Sequence, residues 1–207
     1  MTRKPIQSKN RKKMATKQDE NITAIINSAR KLFSIYGFKK TTMDEIAQGA
    51  GKAKSSLYYY FSSKEDVFTA VVDHESKILS ETISKAIKKH DSSVQKLQEY
   101  VYTRMRAIST MTNISKALRD DILSNYEFIE NIRKKYYERE IDTVSQILQR
   151  GVEREKFELK DITFTARALV TIIRGIEIPL SIDNKKRNFK KEINDLMQIV
   201  FYGIVSR

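Results

Sequence analysis

Apolar residues along this chain recur at intervals of three and four, and no stretch alternates as a half-buried strand would. Over residues 21–37, Ile22, Ile25, Ile26, Ala29, Leu32, Phe33 and Tyr36 predict an amphipathic helix that ends in a glycine cap. Between residues 41 and 68 the pattern fragments into three helix starts. Thr42 and Glu45 form a capping box ahead of Met43, Ile46 and Ala47, and Gly49, Ala50 and Gly51 end that short helix. A second short helix is predicted over residues 54–61, with Leu57 and Phe61 on one face. Ser63 and Asp66 open a third, which meets no breaker before His90, Asp91 and Ser92. At 1.5 Å per residue that helix extends for about 40 Å. Further helices are expected over 94–111, 114–124, 127–151, 161–181 and 189–206, so the fold class is all-α.

Two short helices across a Gly-containing turn make a helix-turn-helix, whose second helix can enter the major groove of DNA. Lys54, Ser55, Ser56, Tyr58, Tyr59 and Tyr60 crowd that second helix with donors and aromatic faces. An aromatic-rich core helix is the alternative. Three consecutive tyrosines point in different directions, however, so at least one phenol must face solvent. A surface for phosphates and base edges fits better.

Charge sharpens this reading. The chain's formal net charge is +13; residues 1–64 carry +10 of it, with 14 Lys/Arg against 4 Asp/Glu. A localised excess of this kind is an electrostatic footprint for nucleic acid. Residues 1–18 hold seven Lys/Arg, no acid and no apolar period, and are expected to form a disordered basic arm. Met14 offers a second candidate start, which would leave out residues 1–13. Cysteine is absent and no run approaches a membrane span, so a cytoplasmic protein is expected.

The stretch resembles the tetracycline-repressor (TetR) family of bacterial transcriptional regulators. The resemblance rests on Thr41, Thr42, Met43, Asp44, Glu45, Ile46 and Ala47, on Ala50 and Gly51, and on Lys54. It continues through Ser56, Leu57, Tyr58, Tyr59, Tyr60 and Phe61 to Ser63, Lys64 and Glu65, and reaches back to Ala29, Arg30, Lys31, Leu32 and Phe33, then Tyr36, Gly37 and Phe38. Lys52 departs from the usual small apolar residue and Ala53 from the usual serine. The resemblance implies a three-helix DNA-binding domain, here residues 19–64, followed by a helical effector-binding and dimerisation domain, here 65–207. It implies a homodimeric repressor bound to a double-stranded DNA operator and released by a small-molecule effector. Tyr58, Tyr60 and Lys64 are then expected mainly on the phosphate backbone, and Lys54, Ser55 and Tyr59 on base edges. Ser56 completes the surface, and Thr42 donates to phosphate from a helix start.

In the second domain, Tyr100, Arg104, Met105 and Ile108 share one helix face, and Tyr136, Tyr137 and Ile141 lie on another. Apolar walls with one or two fixed polar groups suit an effector cavity, although plain packing would use the same residues. Two stripes are candidates for the dimer interface: Phe164, Ala168, Leu169, Ile172, Ile173 and Ile176, and Ile193, Leu196, Met197, Val200, Phe201 and Ile204. The resemblance implies that the last two helices pair with their twofold mates as a four-helix bundle. An enzyme finds little support. His74 and His90 lack metal-ligand spacing, no Gly-rich phosphate loop exists, and no catalytic residue, metal or cofactor is expected. A structural, nucleoid-type DNA-binding dimer without an effector is the alternative to the ligand-released repressor.

Overall fold

Two glycines with positive φ, Gly37 at +82° and Gly51 at +63°, punctuate the N-terminal third of the chain, where an L side chain would be strained. The computed structural model describes residues 5–110, 126–155, 157–182 and 189–202. Its elements are α1 (Pro5–Tyr36), α2 (Met43–Gly49), α3 (Lys54–Tyr60), α4 (Lys64–Ile87), α5 (Ser93–Thr110), α6 (Tyr126–Arg154), α7 (Ile162–Ile182) and α8 (Phe189–Tyr202). Among the described residues no strand occurs, as the three-and-four periodicity predicts. The helix expected over 114–124 and the position of Ile204 lie outside the described residues.

The chain divides into two compact units, Met1–His74 and Glu75–Arg207, so the boundary falls inside α4. The expected boundary at residue 64 marks where α4 starts. The difference has a physical cause: the first turns of α4 complete the core of the N-terminal unit. Phe68 packs with Phe33 and Phe38 in a ring cluster with centroids 5.1–5.7 Å apart. Such pairs contribute about 0.5–1.5 kcal/mol each beyond their area burial. Around them Ile25, Ala29, Ile46, Leu57, Val67 and Val71 are fully buried.

The basic residues expected in a disordered arm begin α1 instead, from Pro5 onward. Lys, Arg, Gln, Met and Ala have good helix propensity, and adding turns to a helix already nucleated by its packed half costs little. Propensity therefore accounts for α1 reaching into a segment without apolar period.

In the C-terminal unit, α5, α6, α7 and α8 enclose a second core that includes Leu97, Tyr100, Val101, Val144, Val170 and Ile193. The Glu155 carboxylate caps α5, taking the Ser93 backbone N–H at 2.7 Å, the Ser93 hydroxyl at 2.8 Å and the Ser92 hydroxyl at 3.1 Å. Burial pushes its carboxyl up. The bonds from Ser93 and Ser92 and the charge of Arg150 outweigh that and hold it below the ordinary value of 4.5. A Cβ on Gly151 would overlap the ring of Phe157, so the turn after α6 closes over a glycine.

Candidate nucleic-acid interface

The turn between α2 and α3 is built by its backbone. Lys52 N–H donates to Ala47 C=O at 2.9 Å and Gly51 N–H to Gln48 C=O at 3.0 Å, with Gly51 left-handed. That pair of bonds is a Schellman closure, and it points the chain from α2 into α3. At the other end of α2 the capping box forms as expected: Glu45 N–H donates to the Thr42 hydroxyl at 3.3 Å, and Thr42 N–H to the Glu45 carboxylate at 2.8 Å. The backbone bond, then the bond from the Thr42 side chain, hold Glu45 below its ordinary pKa. The Thr42 hydroxyl also donates to Glu45, at 2.8 Å, so the donor expected on phosphate is used within the cap.

α2 lies tight against α1. The Ser28 hydroxyl donates to Ile46 C=O at 2.9 Å, and a Cβ on Gly49 would sit 2.5 Å from that hydroxyl. Leu57, fully buried, pins α3 from beneath. The opposite face of α3 is open: Tyr59 is 77% exposed and Tyr58 46%, and Lys54 and Ser55 are exposed beside them, with Ser56 half-buried. Ala53 provides no side-chain cap where the resembled pattern has serine. Lys54 instead pairs with Asp44 of α2 at 2.8 Å; the hydrogen bond first and the charge second raise its ammonium above the ordinary value.

Two further expected DNA contacts, Lys64 and Tyr60, also have internal bonds. Lys64 donates to Phe38 C=O at 2.9 Å, Thr41 C=O at 3.0 Å and Lys39 C=O at 3.4 Å, and its ammonium lies 4.5 Å from the Phe38 ring centroid. Its donors serve the turn ahead of α2. Tyr60 is half-buried, and its hydroxyl accepts from Asn21 of α1 at 3.1 Å. Asn21 in turn accepts from Lys52 at 2.6 Å. Sequence reasoning missed Asn21. The departure of Lys52 from the resembled pattern was the one available signal.

The expected effector residues divide. Met105 lines a cavity of about 70 Å³ with Val101, Ile173, Ile176, Glu192, Ile193 and Leu196. Tyr100 and Ile141 are core. Arg104, 3% exposed, reaches Glu140 at 2.8 Å, and Glu140 also accepts from Arg174 at 3.1 Å. Tyr137 lies beneath the Arg174 guanidinium and bonds Thr171, while Tyr136 is half-buried near Lys135 and Arg139. The side chain of Ile108 lies outside the described residues.

The expected dimer stripes divide too. Ile173, Ile193 and Met197 are buried in the fold, as residues of an intramolecular core. Phe164 and Ile172 face solvent, and Ala168, Leu169, Leu196, Val200 and Phe201 are half-buried. Ile199 and Tyr202, absent from the expected stripes, join the exposed apolar set. No helix among the described residues is long and apolar enough to cross a membrane, and no group of three potential metal-ligating His, Cys, Asp or Glu side chains comes together among them.

A three-helix head whose third helix, α3, stands exposed after a glycine turn defines a helix-turn-helix fold. Residues 25–71, the helix-turn-helix region, match the family model described as bacterial regulatory proteins, tetR family. Over 154 residues the chain is 25% identical to the uncharacterized HTH-type transcriptional regulator YfiR of Bacillus subtilis, covering 68% of this chain and 70% of that one. Over 82 residues it is 34% identical to IcaR of Staphylococcus aureus, the HTH-type negative transcriptional regulator of the biofilm operon icaADBC. That match covers 38% of this chain and 44% of IcaR, less than half of its length. The transcriptional regulator FadR from Bacillus subtilis, solved in complex with stearoyl-CoA, shares the fold at a TM-score of 0.71, covering 88% of this chain and 99% of that one at 20% identity.

Proposed function

We propose that this chain is a homodimeric, sequence-specific DNA-binding repressor that a small molecule releases from its operator. The carrying observation is the open face of α3, where Tyr58, Tyr59 and Lys54 stand exposed above a helix anchored by Leu57. An aromatic surface has no packing reason to stand in water on a rigid helix. In a major groove it meets base edges and phosphates. Lys54 exchanges its pairing with Asp44 for a DNA partner, so the pair holds the side chain in place until DNA replaces the carboxylate.

Dimerisation rests on the second unit. Phe164 is 68% exposed and Tyr202 71%, with Ile172 and Ile199 also in solvent. A twofold pairing through α7 and α8 covers these side chains and supplies the symmetry that two half-sites one DNA turn apart require.

The effector site is placed at the cavity beside Met105. At about 70 Å³ it is well below the roughly 300–1,000 Å³ of a working ligand pocket. A ligand therefore has to part α5, α7 and α8, and its binding selects a repacked form of the unit. A ligand that prefers one form shifts the equilibrium by its differential affinity alone. Linkage then requires DNA to weaken ligand binding by the factor by which ligand weakens DNA binding. Any compound that displaces the protein from DNA in a screen serves for the test: its affinity is measured with and without saturating DNA. Equal affinities in the two conditions overturn the ligand-released mechanism.

A further inference from the structure

The side chains of Lys52, Asn21 and Tyr60 form a chain of hydrogen bonds between α1 and the two ends of the α3 region. A lysine ammonium carries only donors, so the atom of Asn21 that meets it at 2.6 Å must be the carbonyl oxygen. The amide's NH₂ then necessarily faces Tyr60, 3.1 Å away, and donates to the phenol oxygen. An NH₂ group accepts nothing. The phenol's own hydrogen is thus turned away from Asn21.

We propose that Asn21 is a positioning residue for DNA binding, which, oriented by Lys52, sets the Tyr60 hydroxyl as an outward donor to a DNA phosphate. The proposal rests on the DNA-binding reading above and adds a residue from α1 to it. Tyrosine O–H is ambiguous by itself, since it donates or accepts by rotation. Against a phosphate oxygen only the donating orientation attracts. Fixing that orientation before DNA arrives removes a choice that the complex would otherwise have to make. The cationic head of the chain also polarises the bonds that follow, so the phenol donates more strongly than it would alone. Lys52 occupies a position where the resembled pattern has a small apolar residue, so the donor that orients Asn21 is not part of that pattern.

The test is a double-mutant cycle on binding to a random-sequence DNA duplex at low salt, because a phosphate contact needs no operator. Tyr60→Phe removes the donor and should weaken binding about twentyfold, a loss within the range for a hydrogen bond to a charged group. Asn21→Ala should weaken it several-fold in the wild-type background and hardly at all in the Tyr60→Phe background. Asn21→Asp accepts from Lys52 and from Tyr60, reverses the phenol, and should weaken binding more than Asn21→Ala does. Its added charge acts in both backgrounds, so only the part that vanishes with Tyr60→Phe counts for the relay. Circular dichroism melts confirm that each variant retains its helices, and Asn21→Asp provides the cycle if Asn21→Ala unfolds α1. Independent, multiplicative effects of the Asn21 and Tyr60 changes overturn the relay while leaving DNA binding intact. Absence of wild-type binding to any duplex overturns both.

Discussion

Replacing Lys64 by methionine separates a phosphate contact from a role inside the head. A lysine in the first turn of α4 stands against the helix dipole and gains nothing from the helix itself. What compensates it is the turn before α2, whose Phe38 and Thr41 carbonyls it holds at 2.9 and 3.0 Å, with Lys39 at 3.4 Å. A hydrogen bond to a charged group contributes about 1.5–3 kcal/mol, and a half-buried site lets water recover part of it. Methionine retains the stem's packing on Phe38 and loses the bonds, so about 2 kcal/mol of stability should disappear. Thermal melting followed by circular dichroism reads this as a drop of about 4–8 °C if all 207 residues unfold together, and about twice that if the head melts alone. The second arm is the salt dependence of DNA binding. A lysine that neutralises one phosphate contributes about 0.9 to the slope of log affinity against log salt. With its donors committed to carbonyls, Lys64 should change that slope by well under half a unit. A slope reduced by about one, with the melting temperature unchanged, would refute the internal role and restore the phosphate contact that the resemblance implies.

Further expectations are read as simply. Tyr59→Ala, at a position 77% exposed, should leave stability within about 0.5 kcal/mol and yet change which DNA sequences are preferred, as a selection from a random pool would record. Gly51→Ala forces an L side chain to φ +63° and should cost about 1–2 kcal/mol in urea unfolding, weakening DNA binding through the displaced α3. Joint replacement of Phe164 and Ile172 by glutamate should convert a dimer into monomers in sedimentation while the helical signal persists; an unchanged sedimentation coefficient would exclude α7 from the interface. Glu155 has its pKa held below 4.5, so its α5 cap contributes stability above about pH 4.5 that is lost as the pH falls through the folded value. Glu155→Gln should therefore reduce the acid sensitivity of unfolding in that window.

What was legible in the sequence was local. The capping box at Thr42 and Glu45, the glycine turns at Gly37 and Gly51, and the stripe from Ile25 to Phe33 involve residues a few positions apart, where spacing dictates geometry. The bonds that redefine the candidate site join distant residues. Lys64 reaches carbonyls more than twenty positions upstream, and Asn21 reaches Tyr60 across 39. No periodicity encodes such pairings. The apolar stripes of α7 and α8 were legible as stripes, but each helix is wide enough to serve a core and an outer face at once. Ile173 and Met197 therefore became interior, while Phe164 and Ile172 remained outside. The arm was misread because helix extension from a packed nucleus leaves no hydrophobic signature.

The most direct test of the account is a selection of duplexes from a random pool by the full-length protein, followed by affinity measurements on the winners. The account predicts enrichment of one inverted repeat with half-sites about one helical turn apart, bound by two copies of the chain. It further predicts a preference over random duplex of at least about a thousandfold. Enrichment of no sequence, with comparable affinity for every duplex, would contradict it and leave a structural DNA-binding dimer in its place.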